Sequence, residues 1–226
     1  MNNYLEEIFI KEINKDDIKI VFELGSRDLI DAIKMQKYYN CQVYAFECNP
    51  ECLELCRKNF NKNIYLIESA VSINDGFETF YPFDLHKYNN IGASSMLKID
   101  FTKRNINDPD YNRPNPQKEI TVPSTRLDTF MNKLSIKNID LLCMDLQGYE
   151  LNALKSLSDK INNIKYIITE TCINSTYTNG TTFSEINEYL KKYGFKYICS
   201  DEFKYEFPNT DITGFSEFNA LFKKKN

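Results

Sequence analysis

Four acidic residues stand at or beside the end of a short apolar run. Glu23 lies in Val21-Phe22-Glu23-Leu24 and Glu47 closes Tyr44-Ala45-Phe46-Glu47. Asp145 follows Leu141-Leu142-Cys143-Met144, and Glu170 follows Ile167-Ile168-Thr169. A carboxylate next to buried apolar chain has to be paired, hydrogen-bonded or protonated. Each is therefore placed to hold a cation, to accept hydroxyl hydrogen bonds or to take a proton. After Glu23 comes Gly25-Ser26-Arg27, a turn in which one glycine admits close backbone approach to a ligand. Glu23 can pair with an ammonium group and Arg27 with a carboxylate, the two charges of an amino-acid tail. Glu47, followed by Cys48-Asn49-Pro50, can accept two hydrogen bonds from ribose hydroxyls, as an acid at the end of a second strand does in nucleotide-binding sheets. Ser69-Ala70 offers a hydroxyl and room for an adenine edge. Tail, ribose and adenine together describe S-adenosylmethionine (SAM). The cofactor contact set is thus Glu23, Gly25, Ser26, Arg27, Glu47, Cys48, Asn49, Ser69, Ala70, Asp145 and Gln147. Taken singly each turn also reads as an ordinary surface loop; the two acid-ended strands together carry more than either.

For these acids to converge, their strands must lie side by side with their carboxyl ends on one edge. The pattern supplies this. Lys19–Leu24, Gln42–Glu47, Asn63–Glu68, Ile139–Asp145, Ile164–Glu170 and Phe195–Ser200 read as strands buried on both faces. Helical patterns over Arg27–Tyr39, Pro50–Phe60, Gly148–Leu157 and Phe183–Tyr193 separate most of them, with Asn49 as an N-cap and Gly194 as a C-cap. Alternation of this kind gives a mostly parallel sheet. Phe215–Lys223 follows its predecessor without a helix and is expected to enter antiparallel beside it. Asn3–Asn14 reads as a leading helix and Gly76–Phe83 as an extra strand or hairpin arm. Residues 84–118 are polar and contain Pro109, Pro114 and Pro116; they are expected to be a functional lid or an insertion. Chain length and the lack of any repeat point to a single domain over 1–226 with a core of 19–223.

Bulk properties exclude several classes. The 226 residues are 42% hydrophobic and 27% charged, with a formal net charge of −4. That balance gives no attraction to a nucleic-acid backbone. No apolar run is long enough to span a membrane. The opening Met1-Asn2-Asn3-Tyr4-Leu5-Glu6-Glu7 is unlike a signal peptide, so a cytoplasmic protein is expected. Hence the glycosylation-like triplets Asn174-Ser175-Thr176 and Asn179-Gly180-Thr181 are read as chance. Seven cysteines, an odd number, argue against a disulfide framework. Cys48, Cys52 and Cys56 recur every fourth residue, but zinc wants further ligands and His86 is the single histidine; buried core positions explain the spacing, and no metal site is expected.

The same residues resemble the FkbM family of SAM-dependent methyltransferases. The resemblance rests on Glu23-Leu24-Gly25, on Phe46-Glu47-Cys48-Asn49-Pro50, and on Ser69-Ala70-Val71-Ser72 followed by Gly76 and a strand. It continues through Gly92-Ala93-Ser94-Ser95-Met96, Thr125-Arg126-Leu127-Asp128-Thr129-Phe130, Ile168-Thr169-Glu170 and Asn219-Ala220-Leu221-Phe222. Its most specific piece is Ile139–Leu154, with Asp145-Leu146-Gln147-Gly148-Tyr149-Glu150 inside it. The family implies an α/β fold: the class I SAM-methyltransferase sheet, seven-stranded and mostly parallel with an antiparallel last strand, and helices on both faces. It also implies O-methylation, typically of sugars or glycosylated natural products. Two departures stand out: Arg27-Asp28-Leu29 replaces the family's second glycine, and residues 101–118 have no counterpart.

Methyl transfer to a hydroxyl is helped by a nearby base. Asp145, which ends a buried strand, is the first choice; Glu170 is second and Glu150 third. For Glu150 the plainer role is complementing a helix dipole. His86 would serve only if the lid brought it in. A carboxylate pair could also bind a divalent metal, although no third strong ligand is apparent. The partner is then a small-molecule or carbohydrate acceptor, with no nucleic acid and no membrane.

Three rivals fit less well. A nicotinamide-dependent oxidoreductase needs a glycine-rich pyrophosphate loop or Tyr-x-x-x-Lys, and neither occurs. A nucleic-acid amino-methyltransferase carries Asp/Asn-Pro-Pro-aromatic after the fourth strand, whereas Asp108-Pro109-Asp110-Tyr111 lies before it. A non-catalytic SAM-binding module would have no need of Glu23, Glu47 and Asp145 together.

Overall fold

The computed structural model describes residues 4–84, 91–100, 117–209 and 217–225. The chain runs α1 (Glu7–Ile10), β1 (Ile20–Leu24), α2 (Ile30–Tyr39), β2 (Gln42–Glu47), α3 (Pro50–Lys58), β3 (Ile64–Glu68), β4 (Ala70–Val71) and β5 (Gly76–Phe80). It continues with β6 (Ile120–Thr125), α4 (Leu127–Lys133), β7 (Ile139–Met144), α5 (Glu150–Lys155), β8 (Ile164–Cys172), α6 (Phe183–Lys192), β9 (Phe195–Ser200) and β10 (Glu217–Lys224). Seven strands form one sheet in the order β3-β2-β1-β7-β8-β10-β9. The pairs among β3, β2, β1, β7 and β8 are parallel. β10 lies antiparallel between β8 and β9. The expected α/β class, the mostly parallel sheet and the antiparallel last strand are all present. Chain order reverses between β1 and β7, so the loops after these two strands open a crevice at the sheet's carboxyl edge.

Side-chain alternation explains why both faces carry helices. Phe22, Leu24, Leu142 and Met144 project to one side, where they pack with Leu127 and Met131 of α4, Ala153 and Leu154 of α5, and Phe183 and Ile186 of α6. Val21, Val43, Ala45, Leu141 and Cys143 project to the other, against Phe9 of α1, Ala32 and Met35 of α2, and Cys56 of α3. Fully burying one such large apolar side chain is worth roughly 1.5–3 kcal/mol. Turning any central strand over would therefore forfeit several such contributions at once, which fixes the register.

The differences from expectation have local causes. The helix expected from Arg27 begins at Ile30, because Arg27 (φ 53°) and Leu29 (φ 65°) are left-handed and Asp28 Oδ1 accepts the Ile30 N–H. The helix expected from Gly148 begins at Glu150, after Gln147 (φ 52°) and Gly148 (φ 93°). The leading helix shrinks to one turn, Glu7–Ile10. β5 does not stand alone: with β4 and the unforeseen β6 it forms a three-stranded sheet, order β4-β6-β5. β6 carries Pro123, which has no backbone N–H to give to a ladder. It is tolerated because the two-residue β4 pairs only with Ser124 and Thr125, leaving Phe77 as the sole partner opposite Pro123. Of the expected lid over 84–118, residues 85–90 and 101–116 lie outside the described residues, and His86 is among them. So do residues 215 and 216 of the last strand. Among the described residues no helix is long and apolar enough to cross a membrane.

Candidate active site

The loop after β1 is built by one glycine. Gly25 has φ +84°, and a Cβ there would sit 2.0 Å from the carbonyl oxygen of Asp145. Only glycine lets this turn pass against the loop after β7. The Gly25 and Ser26 N–H groups both donate to the Phe46 carbonyl at 3.0 Å, which ties the turn to the end of β2. Glu23 is 2% exposed, and Ser26 Oγ donates to its Oε2 at 2.5 Å. Burial pushes the Glu23 carboxyl up to about 8, with the charges of Asp31, Asp28 and Glu47 adding to it and the Ser26 bond opposing. The guanidinium of Arg27 lies 3.5 Å from Asp28 Oδ2.

Glu47 is held by backbone. Its Oε2 accepts the Arg27 N–H, and its Oε1 accepts those of Cys48 and Asn49, each at 2.8 Å. Burial raises this carboxyl and the three N–H groups pull against the rise. Asn49 caps α3 through the Glu51 N–H and reaches Ser94 Oγ at 3.4 Å. Ser69 Oγ donates to the Ala70 carbonyl; Ala70, Phe80 and Val122, with Cys48 and Met96 against them, form a small apolar wall.

These pieces enclose a cavity of about 870 Å³, open mouth included. Every residue of the sequence-derived cofactor set lines it: Glu23, Gly25, Ser26, Arg27, Glu47, Cys48, Asn49, Ser69, Ala70, Asp145 and Gln147. Among the described residues its charged lining is lopsided, with the carboxyl groups of Glu23, Asp28, Asp31, Glu47 and Asp145 against the one cation Arg27. Tyr4, which the sequence did not mark, lines it too.

Beyond Gln147 lies a second cavity of about 270 Å³, whose wall includes Glu150, Glu170, Thr171, Ser175, Tyr177 and Glu217. Among the described residues Gln147 is the one that lines both. Its Nε2 donates to Asp145 Oδ1 at 2.8 Å and to Glu170 Oε2 at 2.5 Å, while Tyr177 Oη donates to its Oε1 at 2.7 Å. Burial holds the Glu170 carboxyl well above the usual carboxylate range, and the charge of Asp145 and a hydrogen bond with it add to the rise.

Glu150, 1% exposed, accepts the Leu146 N–H at 2.8 Å and the Gly148 N–H at 3.2 Å, and burial lifts it to about 7. It clasps the loop that carries Asp145 and Gln147, a job beyond the helix-dipole role read from sequence. One oxygen each of Asp145, Glu150 and Glu170 lie within 4.8 Å of one another, so Glu150, read from sequence only as a candidate base or dipole partner, stands as a third carboxyl beside the pair. A divalent cation could span that distance, yet Gln147 Nε2 already donates to two of the three, and an amide donor there opposes a cation.

Two anchors escaped the sequence. Ser95 Oγ donates to the carbonyls of Gln147 (2.9 Å) and Leu146 (3.3 Å). Tyr177 sits in the turn before Asn179 (φ 58°) and Gly180. The asparagine-glycine pair was the available signal for that turn. The turn packs on Gly148, whose carbonyl accepts the Thr181 N–H at 2.9 Å. The cysteines Cys48, Cys52 and Cys56 fall on α3 and its lead-in; Cys52 and Cys56 are buried, and burial pushes Cys56 up to about 12. All seven thiols are free.

The sequence profile of the methyltransferase FkbM domain matches residues 27–197. The 2-O-methyltransferase NoeI of Sinorhizobium fredii (strain NBRC 101917 / NGR234) is 25% identical over 156 residues, 67% of this chain; the chain spans 62% of that relative's length. Among solved structures, M. capricolum TrmK in complex with S-adenosyl-homocysteine is 14% identical at a TM-score of 0.48, covering 99% of this chain and 69% of that one. Magnesium protoporphyrin IX methyltransferase from Synechocystis PCC 6803 with bound SAM is 7% identical at 0.48, covering 96% and 74%.

Proposed function

The chain belongs to the FkbM methyltransferase family, and on that premise we propose that it transfers the methyl group of SAM to a hydroxyl oxygen of a sugar or related small acceptor. The observation that carries the reading is the acidic lining of the larger cavity: among the described residues, five carboxyl groups line it beside one guanidinium. SAM bears a sulfonium, an ammonium and one carboxylate, a net cation that this lining fits. A dinucleotide's pyrophosphate would meet repulsion there instead. Glu23 takes the ammonium and Arg27 the carboxylate. Glu47, fixed by three backbone N–H groups, takes the ribose, and the wall of Ala70, Phe80 and Met96 takes the adenine.

When bound, SAM supplies a methyl carbon already activated by its sulfonium. The protein's main work is then alignment, which can supply several kcal/mol. The acceptor would be held on the Gln147 side, in the smaller cavity. Bound SAM would supply the methyl group by displacement at its methyl carbon, with the sulfur as leaving group. The hydroxyl proton passes to Asp145. Glu170, held well above the usual carboxylate range by burial, keeps its own proton at neutral pH. An oxygen acceptor is supported by the 2-O-methyltransferase activity of the NoeI relative, and the carboxyl groups of Glu150, Glu170 and Glu217 around the smaller cavity disfavour an anionic group there.

The test is incubation with methyl-labelled SAM and a panel of free and nucleotide-linked sugars, followed by mass spectrometry and NMR. Label in an ether methyl on a sugar supports the reading. Binding of SAM without transfer to any hydroxyl, or label on nitrogen, would overturn it.

A further inference from the structure

We infer that Tyr177 is a positioning residue that locks the side-chain amide of Gln147 with its NH₂ group facing Asp145 and Glu170. The inference rests on the proposed role of that carboxyl pair in activating the acceptor, and it adds the element that sets the pair's hydrogen bonding. The geometry carries it. Gln147 Nε2 stands 2.8 Å from Asp145 Oδ1 and 2.5 Å from Glu170 Oε2, so both amide protons are used. Its Oε1 stands 2.7 Å from Tyr177 Oη. A hydroxyl can donate there, sharing its one proton with the Ala93 carbonyl, whereas the opposite amide orientation would turn Oε1 toward the Asp145 oxygen and take the donor away from it. The hydroxyl thus selects one of two nearly isosteric amide orientations.

The rest of the turn shows that this contact is built in. Tyr177 is 5% exposed, and its hydroxyl also lies 2.9 Å from the Ala93 carbonyl. Its ring packs on Gly148, where an added Cβ would come within 3.3 Å of Tyr177 Cδ2 and of the Gly180 backbone. Gln147 itself holds φ +52°, a left-handed conformation that a non-glycine residue adopts at a cost. That backbone is what swings its amide between the two cavities. Burial keeps the Tyr177 hydroxyl protonated, so it remains a donor throughout the working pH range.

The consequence is electrostatic. Hydrogen bonds donated to a carboxylate favour its ionised form. Glu170 is faced by Asp145, by Glu150 from α5 and by Glu217 from β10, all of which disfavour charge on it. Gln147 is the amide donor that opposes them, and Tyr177 keeps it pointed the right way.

The experiment is a pH titration of side-chain carboxyl carbons by ¹³C NMR in the full chain, with Asp145→Asn and Glu170→Gln assigning the pair. Gln147→Leu should raise the Glu170 midpoint by about one pH unit. Tyr177→Phe, which deletes only the hydroxyl, should raise it in the same direction by a smaller amount. It should also speed hydrogen exchange of the Gln147 side-chain amide. If Tyr177→Phe titrates and exchanges as the parent protein does, Tyr177 does not lock the amide; if Gln147→Leu also leaves the midpoint alone, the whole inference fails. Turnover of Asp145→Asn is scored separately on the sugar panel. Undiminished turnover there would remove Asp145 as the base without touching the titration result.

Discussion

Glu23 makes a quantitative demand on cofactor binding. The free protein keeps this carboxyl at about 8, chiefly by burial, so at pH 7 about nine molecules in ten hold the proton. Pairing with the SAM ammonium requires the carboxylate, and binding must expel that proton. Linkage then makes the affinity rise about tenfold from pH 6 to pH 7. The window closes above pH 7 because an α-amino group itself titrates near 7.7–8.0. Calorimetry in two buffers of different ionisation enthalpy counts the proton directly, and the expected count at pH 6.5 is about one. The same shift bears on folding, with a definite sign. An acid raised in the folded state destabilises it: the cost is absent below the ordinary value of 4.5, grows as pH rises, and levels off above about 8. At pH 7 it reaches roughly 3 kcal/mol, taking 1.36 kcal/mol per pH unit. Glu23→Gln should therefore stabilise the free protein at pH 7 and leave it unchanged at pH 4. It should also flatten the pH dependence of SAM binding and weaken that binding about tenfold. A parent protein that binds SAM with no proton release and a flat affinity between pH 6 and 7 would refute the reasoning.

Other perturbations follow from the same geometry. Glu47→Ala removes the ribose acceptor, a charged hydrogen bond worth about 1.5–3 kcal/mol, and should weaken SAM about tenfold or more by calorimetry; unchanged affinity in a folded variant would remove Glu47 from the cofactor site. Gly25→Ala drives a Cβ to 2.0 Å from the Asp145 carbonyl at a φ of +84°, so it should lower stability by about 2 kcal/mol or more and disturb both the β1 and β7 loops; a parent-like melting temperature would contradict the contact. All seven thiols are free, and thiol counting in denaturant should find seven; a lower count would mean a disulfide.

Much of this site was legible because each of its strands announces itself twice, by an apolar run and by the acid that closes it. Glu23, Glu47, Asp145 and Glu170 converge since β1, β2, β7 and β8 are neighbours in a parallel sheet, and the alternation of strands and helices already implied that sheet. The antiparallel entry of β10 was legible for the same kind of reason, as no helix precedes it. What sequence did not reveal depends on contacts between distant segments. β6 hides behind Pro123, whose tolerance depends on how short β4 is. Tyr177 and Ser95 are ordinary residues until the turn at 175–180 and the stretch 91–97 meet the loop after β7. Glu150 looked like a dipole partner because its targets, the Leu146 and Gly148 N–H groups, become available only when Gln147 and Gly148 take positive φ. Cys52 and Cys56 were legible as core by spacing alone.

The proposed chemistry stands or falls on Asp145. Asp145→Asn keeps the shape of the side chain and its contact to Gln147 while removing the charge. SAM affinity by calorimetry and methyl transfer to the accepted sugar are to be measured on the same preparation. The expected result is SAM binding within a few-fold of the parent with turnover down about a hundredfold or more, the loss a general base accounts for. Near-normal turnover would contradict the account, and loss of SAM binding alone would make Asp145 a cofactor ligand instead.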